Sequence, residues 1–407
     1  MSDENTRDLS PVKRFFRLLG ADKKDIVYIY TYAVIIGLVS LSLPLGIQSI
    51  VEFIKSGVLF RSVILLIAFV LFGIILTGAL QVMQIILVEI LRRRIFTKAA
   101  FEFATRLPKF RSEKLFSQYT PELMNRFFDV MTIQKGLPKL LIDISSSALQ
   151  ILFGLILLSF YNQFFIVFSL IFIAILVLIF YLTGPKGLKS SIIESKYKYK
   201  VVYWLEEMAR TLNSFKLSGN TALPLKKTDN NVNNYLNYRK THFGVLITQF
   251  WFIILFKTLV TGGVLILGSI LVINAQITLG QFVASEVIII LILSSVEKII
   301  TYLDVVYDLL TGVDKIAMVT DIPLERQGGF RIDLKGDKPY KIIAKDLSYT
   351  YPGSSKPAIK DIAFTIDSGE NVCISGVNGS GKTTLTNILA GIYSEYKGLV
   401  TINNYSL

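Results

Sequence analysis

Six long apolar runs limit what this chain can become: Ile26–Val51, Val58–Val88, Leu140–Phe160, Phe164–Leu182, Phe243–Ile273 and Phe282–Leu310. A bilayer core roughly 30 Å thick takes about 20 mostly apolar helical residues to cross. Buried helices of a large soluble protein would show a polar face. Val63–Thr77 and Phe164–Tyr181 carry no charge on any face, so the runs predict an α-helical membrane protein with six spans. Residues 1–25 are polar and mixed in charge, without the short apolar core and cleavage site of a secretory leader.

The net charge of +13 first suggests nucleic acid, but its distribution argues against that partner. Basic residues crowd the segment before the first span (Arg7, Lys13, Arg14, Arg17, Lys23, Lys24). They also crowd the connections between spans two and three (Arg92 through Lys135) and between spans four and five (Lys186 through Lys240). The opposite, short connections hold only Lys55 and Arg61. This is the positive-inside pattern, and it predicts a multi-pass protein of the inner (plasma) membrane with both termini cytoplasmic. Cys373 is the only cysteine, which excludes an internal disulfide and a cysteine-based zinc site. The single histidine, His242, is expected at a helix start as an interfacial residue.

The long inward connections have helical patterning, so the spans are expected to continue into the cytoplasm. Asp143, Ser145–Ser147 and Gln150 on the third span, and Glu286, Glu297, Lys298 and Asp304 on the sixth, are the polar groups within the runs. Intramembrane ionisable groups mark candidate substrate paths. Glu297, Lys298 and Asp304 are expected near the cytoplasmic end, where Glu297 and Lys298 are simply solvated, which leaves Glu286 as the candidate with a role.

Beyond Glu325 the composition changes. A membrane domain over 26–325, a turn-rich linker over 326–339 and a soluble α/β segment over 340–407 are predicted. Ile342–Ala344, Ile362–Ile366 and Asn371–Ser375 are expected strands, the last feeding Gly376-Val-Asn-Gly-Ser-Gly-Lys-Thr383. This is a phosphate-binding loop: the glycines let backbone N–H groups converge on phosphates, Lys382 supplies a compact cation, and Thr383 offers a hydroxyl to magnesium. A helix over Thr384–Ala390 is expected to point its positive end at the nucleotide. ATP and Mg are therefore the expected cofactors, held by Gly376, Val377, Asn378, Gly379, Ser380, Gly381, Lys382, Thr383 and Thr384.

The extra glycine at 379 gives the G-x-x-G-x-G-K-T loop typical of ABC transporter ATPases, and Leu347-Ser-Tyr-Thr-Tyr-Pro-Gly353 resembles that family's aromatic-loop segment. The resemblance implies that Tyr351 stacks on adenine. The six-span region resembles the membrane domain of exporters in the bacterial multidrug, peptide and protein secretion group. The fold class implied is a six-helix exporter membrane domain followed by a partial P-loop NTPase domain. A half-transporter of this kind pairs with a second subunit, a homodimer being expected, and moves an unknown substrate outward. Its cytoplasmic connections carry coupling helices, here placed at about Pro121–Phe128 and Tyr203–Phe215. The family's glutamine loop, signature, magnesium-holding aspartate, catalytic glutamate and switch histidine have no counterpart before Leu407. ATP binding without hydrolysis is the expectation for these residues. The alternative is a non-transporting membrane scaffold or degraded gene product that retains the loop.

Overall fold

Ser10 starts the first helix by accepting a hydrogen bond from the backbone N–H of Lys13 (3.4 Å), and Pro11 supplies a helical φ in the first turn. The result is α1 (Pro11–Leu19), in a computed structural model that describes residues 10–57, 60–116, 120–326, 328, 340–403 and 405–407. α2 (Lys23–Ser40) and α3 (Ser42–Ser56) together form the first span, broken at Leu41. Pro44 has no amide proton to continue the ladder back to Ser40, which accounts for the break.

α4 (Phe60–Arg106) runs for 47 residues. The chain then breaks up into α5 (Ser112–Leu115), α6 (Thr120–Asn125) and α7 (Asp129–Pro138). After Pro138 the helix widens into a π-helical turn, Lys139–Ile144, before α8 (Ser145–Ser159). α9 (Gln163–Arg210) and α11 (Leu223–Ile273), joined through α10 (Leu212–Leu217), are 48 and 51 residues long. α12 (Leu279–Thr301) opens on a capping box, with Thr278 and Gln281 bonding each other's backbone N–H groups, and α13 (Leu303–Thr320) follows it. Among the described residues, six helical stretches are long and apolar enough to cross a membrane, and each overlaps one of the predicted runs. Several of them extend far past the apolar runs.

The chain divides into two bodies, one of residues 9–99 and 126–317, the other of residues 100–125 and 318–407. The linker expected at 326–339 lies almost wholly outside the described residues.

In the first body, α8, α9, α11 and α12 share one apolar core around Phe165, Phe172, Phe256, Ile288 and Ile292. α1, α2, α4, α7 and α13 share another around Ile29, Leu91, Ile133, Leu137 and Leu309. Close crossings use glycine. A Cβ on Gly187 of α9 would sit 2.4 Å from the ring of Tyr307 on α13. Gly187→Val should therefore force that crossing apart at a cost of about 1–3 kcal/mol, read as a lower midpoint of thermal aggregation in detergent. An unchanged midpoint would refute the contact.

A polar stripe joins these two helices to α11 and corrects one sequence expectation. His242 is 1% exposed, in the middle of α11 and not at a helix start, because α11 begins at Leu223. Its Nδ1 lies 2.7 Å from Ser190 Oγ on α9 and its Nε2 lies 3.0 Å from Asp304 Oδ1 on α13. Asp304 is thus tied to a buried ring. Two turns further along, Gln249 donates to Thr183 Oγ1 (3.1 Å) and Tyr307 Oη (2.8 Å). A buried polar group left unpaired is expensive, so these bonds fix how three long helices face one another. Glu297 pairs with Lys257 at 3.2 Å.

Ahead of the first span, Asp22 accepts from Lys98 Nζ (2.7 Å) and Arg94 Nη1 (3.2 Å). Burial alone would raise this carboxyl, but the bonds from Lys98 and Arg94 outweigh it and hold Asp22 below the ordinary carboxylate range. Its contribution to stability is present above the unfolded value of about 4 and is lost as pH falls through the lower folded value. Asp22→Asn should remove that part of the acid-induced loss of stability, seen as a shallower fall in melting temperature below about pH 4. An unaltered pH profile would refute it.

The second body holds a four-stranded antiparallel sheet in the order β2-β1-β3-β4, with β1 Ile342–Tyr349, β2 Ile359–Ile366, β3 Lys397–Ile402 and β4 Tyr405–Ser406. Ile342 faces Ile366 on one side of β1 and Ile402 on the other. α14 (Lys382–Leu389) packs Leu385 and Ile388 onto the face formed by Ala344, Leu347 and Val400. The strand expected at Asn371–Ser375 is absent: this segment has no regular secondary structure and joins no ladder among the described residues. Its Val372 and Ile374 stand exposed, as strand residues do when no neighbouring strand covers them.

Candidate nucleotide site

The loop Gly376–Gly381 leads straight into α14, so the helix N-terminus opens onto it. Gly381 has φ +91°, and a Cβ there would meet the Ala358 carbonyl oxygen at 2.6 Å, so no other residue fits this entry turn. Ser380 closes a tight turn by donating its N–H to the Val377 carbonyl (3.2 Å). Lys382 curls back over the loop and donates from Nζ to the carbonyls of Gly376 and Val377, 2.9 Å each. An exposed ring of backbone with a lysine cation laid over it, at the positive end of a helix, fits a polyphosphate in both charge and shape. Asn378 and Gly379 lie at the exposed tip, and the Thr383 hydroxyl is also exposed at the start of α14.

Thr384 is buried and bonds the Tyr351 hydroxyl at 2.8 Å, which brings the two predicted ends of the site together. Tyr351 belongs to an aromatic cluster, edge-on to Tyr349 (5.2 Å) and Tyr393 (6.0 Å), while Tyr349 and Tyr393 stack at 5.2 Å. Burial pushes the Tyr349 phenol well above its usual range.

The connection after α4 supplies residues that sequence reasoning missed. Glu113 of α5, 3% exposed, accepts from the backbone N–H groups of Ser394 and Glu395, the latter at 3.1 Å. Glu395 in turn pairs with Lys114 (3.3 Å) and Arg111 (3.5 Å). Phe116 packs edge-on to both Tyr351 (5.3 Å) and Tyr393 (5.4 Å). Ser112–Phe116 thus packs on the sheet-bearing body, just ahead of the expected coupling stretch Pro121–Phe128. The other expected coupling stretch, Tyr203–Phe215, spans the end of α9 and part of α10. There the Trp204 indole donates to Thr228 Oγ1 (3.0 Å) and its ring meets Phe215 edge-on (6.0 Å). Within α12, Glu286 Oε1 is buried with no partner among the described residues.

Membrane-length helices joined to a phosphate loop define a class, the nucleotide-driven membrane proteins. Residues 26–296 match the family described as the ABC transporter transmembrane region and residues 359–407 the one described as ABC transporter; the chain belongs to the ABC transporter family, exporter type. The ATP-dependent lipid A-core flippase of Burkholderia thailandensis is 28% identical over 134 residues, 33% of this chain and 22% of that protein. The flippase of Burkholderia orbicola is 29% identical over 132 residues, 32% of this chain and 22% of its own length. That of Vibrio parahaemolyticus is 34% identical over 88 residues, 21% of this chain and 14% of its own length. The matched stretch thus spans about a fifth of the Burkholderia relatives' length. An ATP-binding role follows from the family.

Proposed function

We propose that this chain is one half of an ATP-driven exporter of the cytoplasmic membrane, working as a pair with a second copy. Lys382 and the loop N–H groups hold the phosphates, the Thr383 hydroxyl serves magnesium, and the half-buried Tyr351 receives adenine. The observation that carries the reading is the seat of Phe116 and Glu113. The segment that continues a 47-residue, membrane-length helix rests on the tyrosine beside the phosphate loop and on the turn after α14. Nucleotide arriving at Tyr351 presses on that segment. Magnesium, when bound, neutralises phosphate charge; the residues here bind and orient.

The asymmetry of basic connections supports cytoplasmic termini. The relatives' names make a lipid A-type glycolipid the first cargo to try. Inverted membrane vesicles should take up fluorescent lipid A when given ATP, and the Lys382→Ala vesicles should not. Uptake equal in both would overturn the ATP-driven reading. No ATP-dependent movement of any cargo in either would favour the scaffold reading. With Cys373→Ser as background, Lys55→Cys should react with an impermeant maleimide on intact cells and Lys216→Cys only after permeabilisation. The reverse pattern would overturn the orientation.

A further inference from the structure

α1 carries two kinds of aromatic residue. Phe15 is buried with Leu19 in the core of its helical body, whereas Phe16 is 65% exposed. Phe16 forms one wall of a groove of about 430 Å³, lined also by Val34 of α2, Leu140 and Ile144 of the π-helical turn, and Ala148 and Leu149 of α8. That volume lies within the roughly 300–1,000 Å³ of small-ligand pockets. The lining is almost wholly apolar, supplied by the short α1 and by helices of membrane-crossing length.

Two features say what fills it. Lys13 and Arg17, one helical turn apart and both exposed, flank Phe16 along α1. A short helix with aromatic and basic residues arranged in this way lies in the plane of a membrane surface and attracts anionic headgroups. The floor of the groove is the widened turn at Lys139–Ile144, and π-turns of this sort recur at binding sites because they spread the side chains around them. An apolar slot with two exposed cations on the helix that forms its wall matches a molecule with a hydrocarbon chain and a phosphate. It does not match a zwitterionic lipid, which gains little from the charge, or a protein segment, whose backbone N–H and C=O groups would meet only the hydroxyls of Tyr30 and Ser145 among the described lining residues.

We propose that this groove binds one acyl chain of an anionic glycerophospholipid, with its phosphate between Lys13 and Arg17. Its placement in the cytoplasmic leaflet rests on the topology proposed above. The lipid anchors α1 against α2 and the π-helical turn, where the first and third spans meet.

The test is native mass spectrometry of the detergent-solubilised protein titrated with phosphatidylglycerol or phosphatidylcholine. Phosphatidylglycerol should be retained at least fivefold better. The double variant Lys13→Gln, Arg17→Gln should lower its retention to the phosphatidylcholine level, and Ala148→Phe, which fills the groove, should lower retention of both lipids severalfold. Equal retention of the two lipids by the wild-type protein, or unchanged phosphatidylglycerol retention in the charge variant, would overturn the proposal. So would an Ala148→Phe protein that dissociates into monomers yet keeps its lipid, because the groove would then belong to a partner subunit. If Ala148→Phe does not fold, the exposed charge pair decides alone. Binding in detergent does not depend on orientation, so failure here leaves the maleimide result untouched.

Discussion

Lys382→Ala should weaken ATP binding about 10- to 100-fold, measured by titration with a fluorescent ATP analogue or by azido-ATP photolabelling. The ammonium already sits over the loop, bonded to the carbonyls of Gly376 and Val377 at 2.9 Å, and exchanges those bonds for phosphate oxygens. A hydrogen bond to a charged group contributes about 1.5–3 kcal/mol, and each 1.4 kcal/mol is roughly tenfold in affinity. The loop N–H groups and the α14 N-terminus remain in the variant, so binding weakens and is not abolished. Equal labelling of the variant and the wild-type protein would remove Lys382 from the site.

The second large effect concerns Glu113→Ala. This carboxylate is removed from water, and only one of its oxygens is bonded: Oε2 has no partner among the described residues. Its position is held by the N–H groups of Ser394 and Glu395, 281 and 282 residues further along the chain. Deleting it leaves two inward-facing donors without an acceptor, at about 1–3 kcal/mol. Amide hydrogen exchange at Ser394 and Glu395 should accelerate by about 5- to 100-fold, with little change at β1. Glu113→Gln, which keeps an acceptor but not the charge, should fall between. Unchanged exchange at both amides would show that α5 does not hold this turn.

The membrane part was legible because hydropathy is a local property and each span carries its own signal. The phosphate loop was legible because its chemistry fixes residue types at fixed spacing: Gly379, Gly381, Lys382 and Thr383 stand together in both sequence and structure. The helices were longer than their apolar runs indicated, since hydropathy reports the solvent of a residue and not its backbone. His242 was misplaced for this reason: a polar stretch precedes it, yet α11 passes through without interruption. The docking of Glu113 and Phe116 had no sequence signal, because an acceptor for distant backbone N–H groups looks like any surface glutamate. Asn371–Ser375 had the composition of a strand, but strand formation needs a neighbour to bond, and none of the described residues supplies one.

The length of α11 has a mechanical consequence. At 1.5 Å per residue, its 51 residues make a rod about 76 Å long. If such a rod pivots near its middle by about 5°, each end sweeps about 3 Å, comparable to the small helix shifts that accompany switching between packed states. The bonds of His242 and Gln249 to α9 and α13 act as cross-braces, so the three rods tilt as a single truss. Small displacements at one end are thereby delivered to the other without being absorbed by bending.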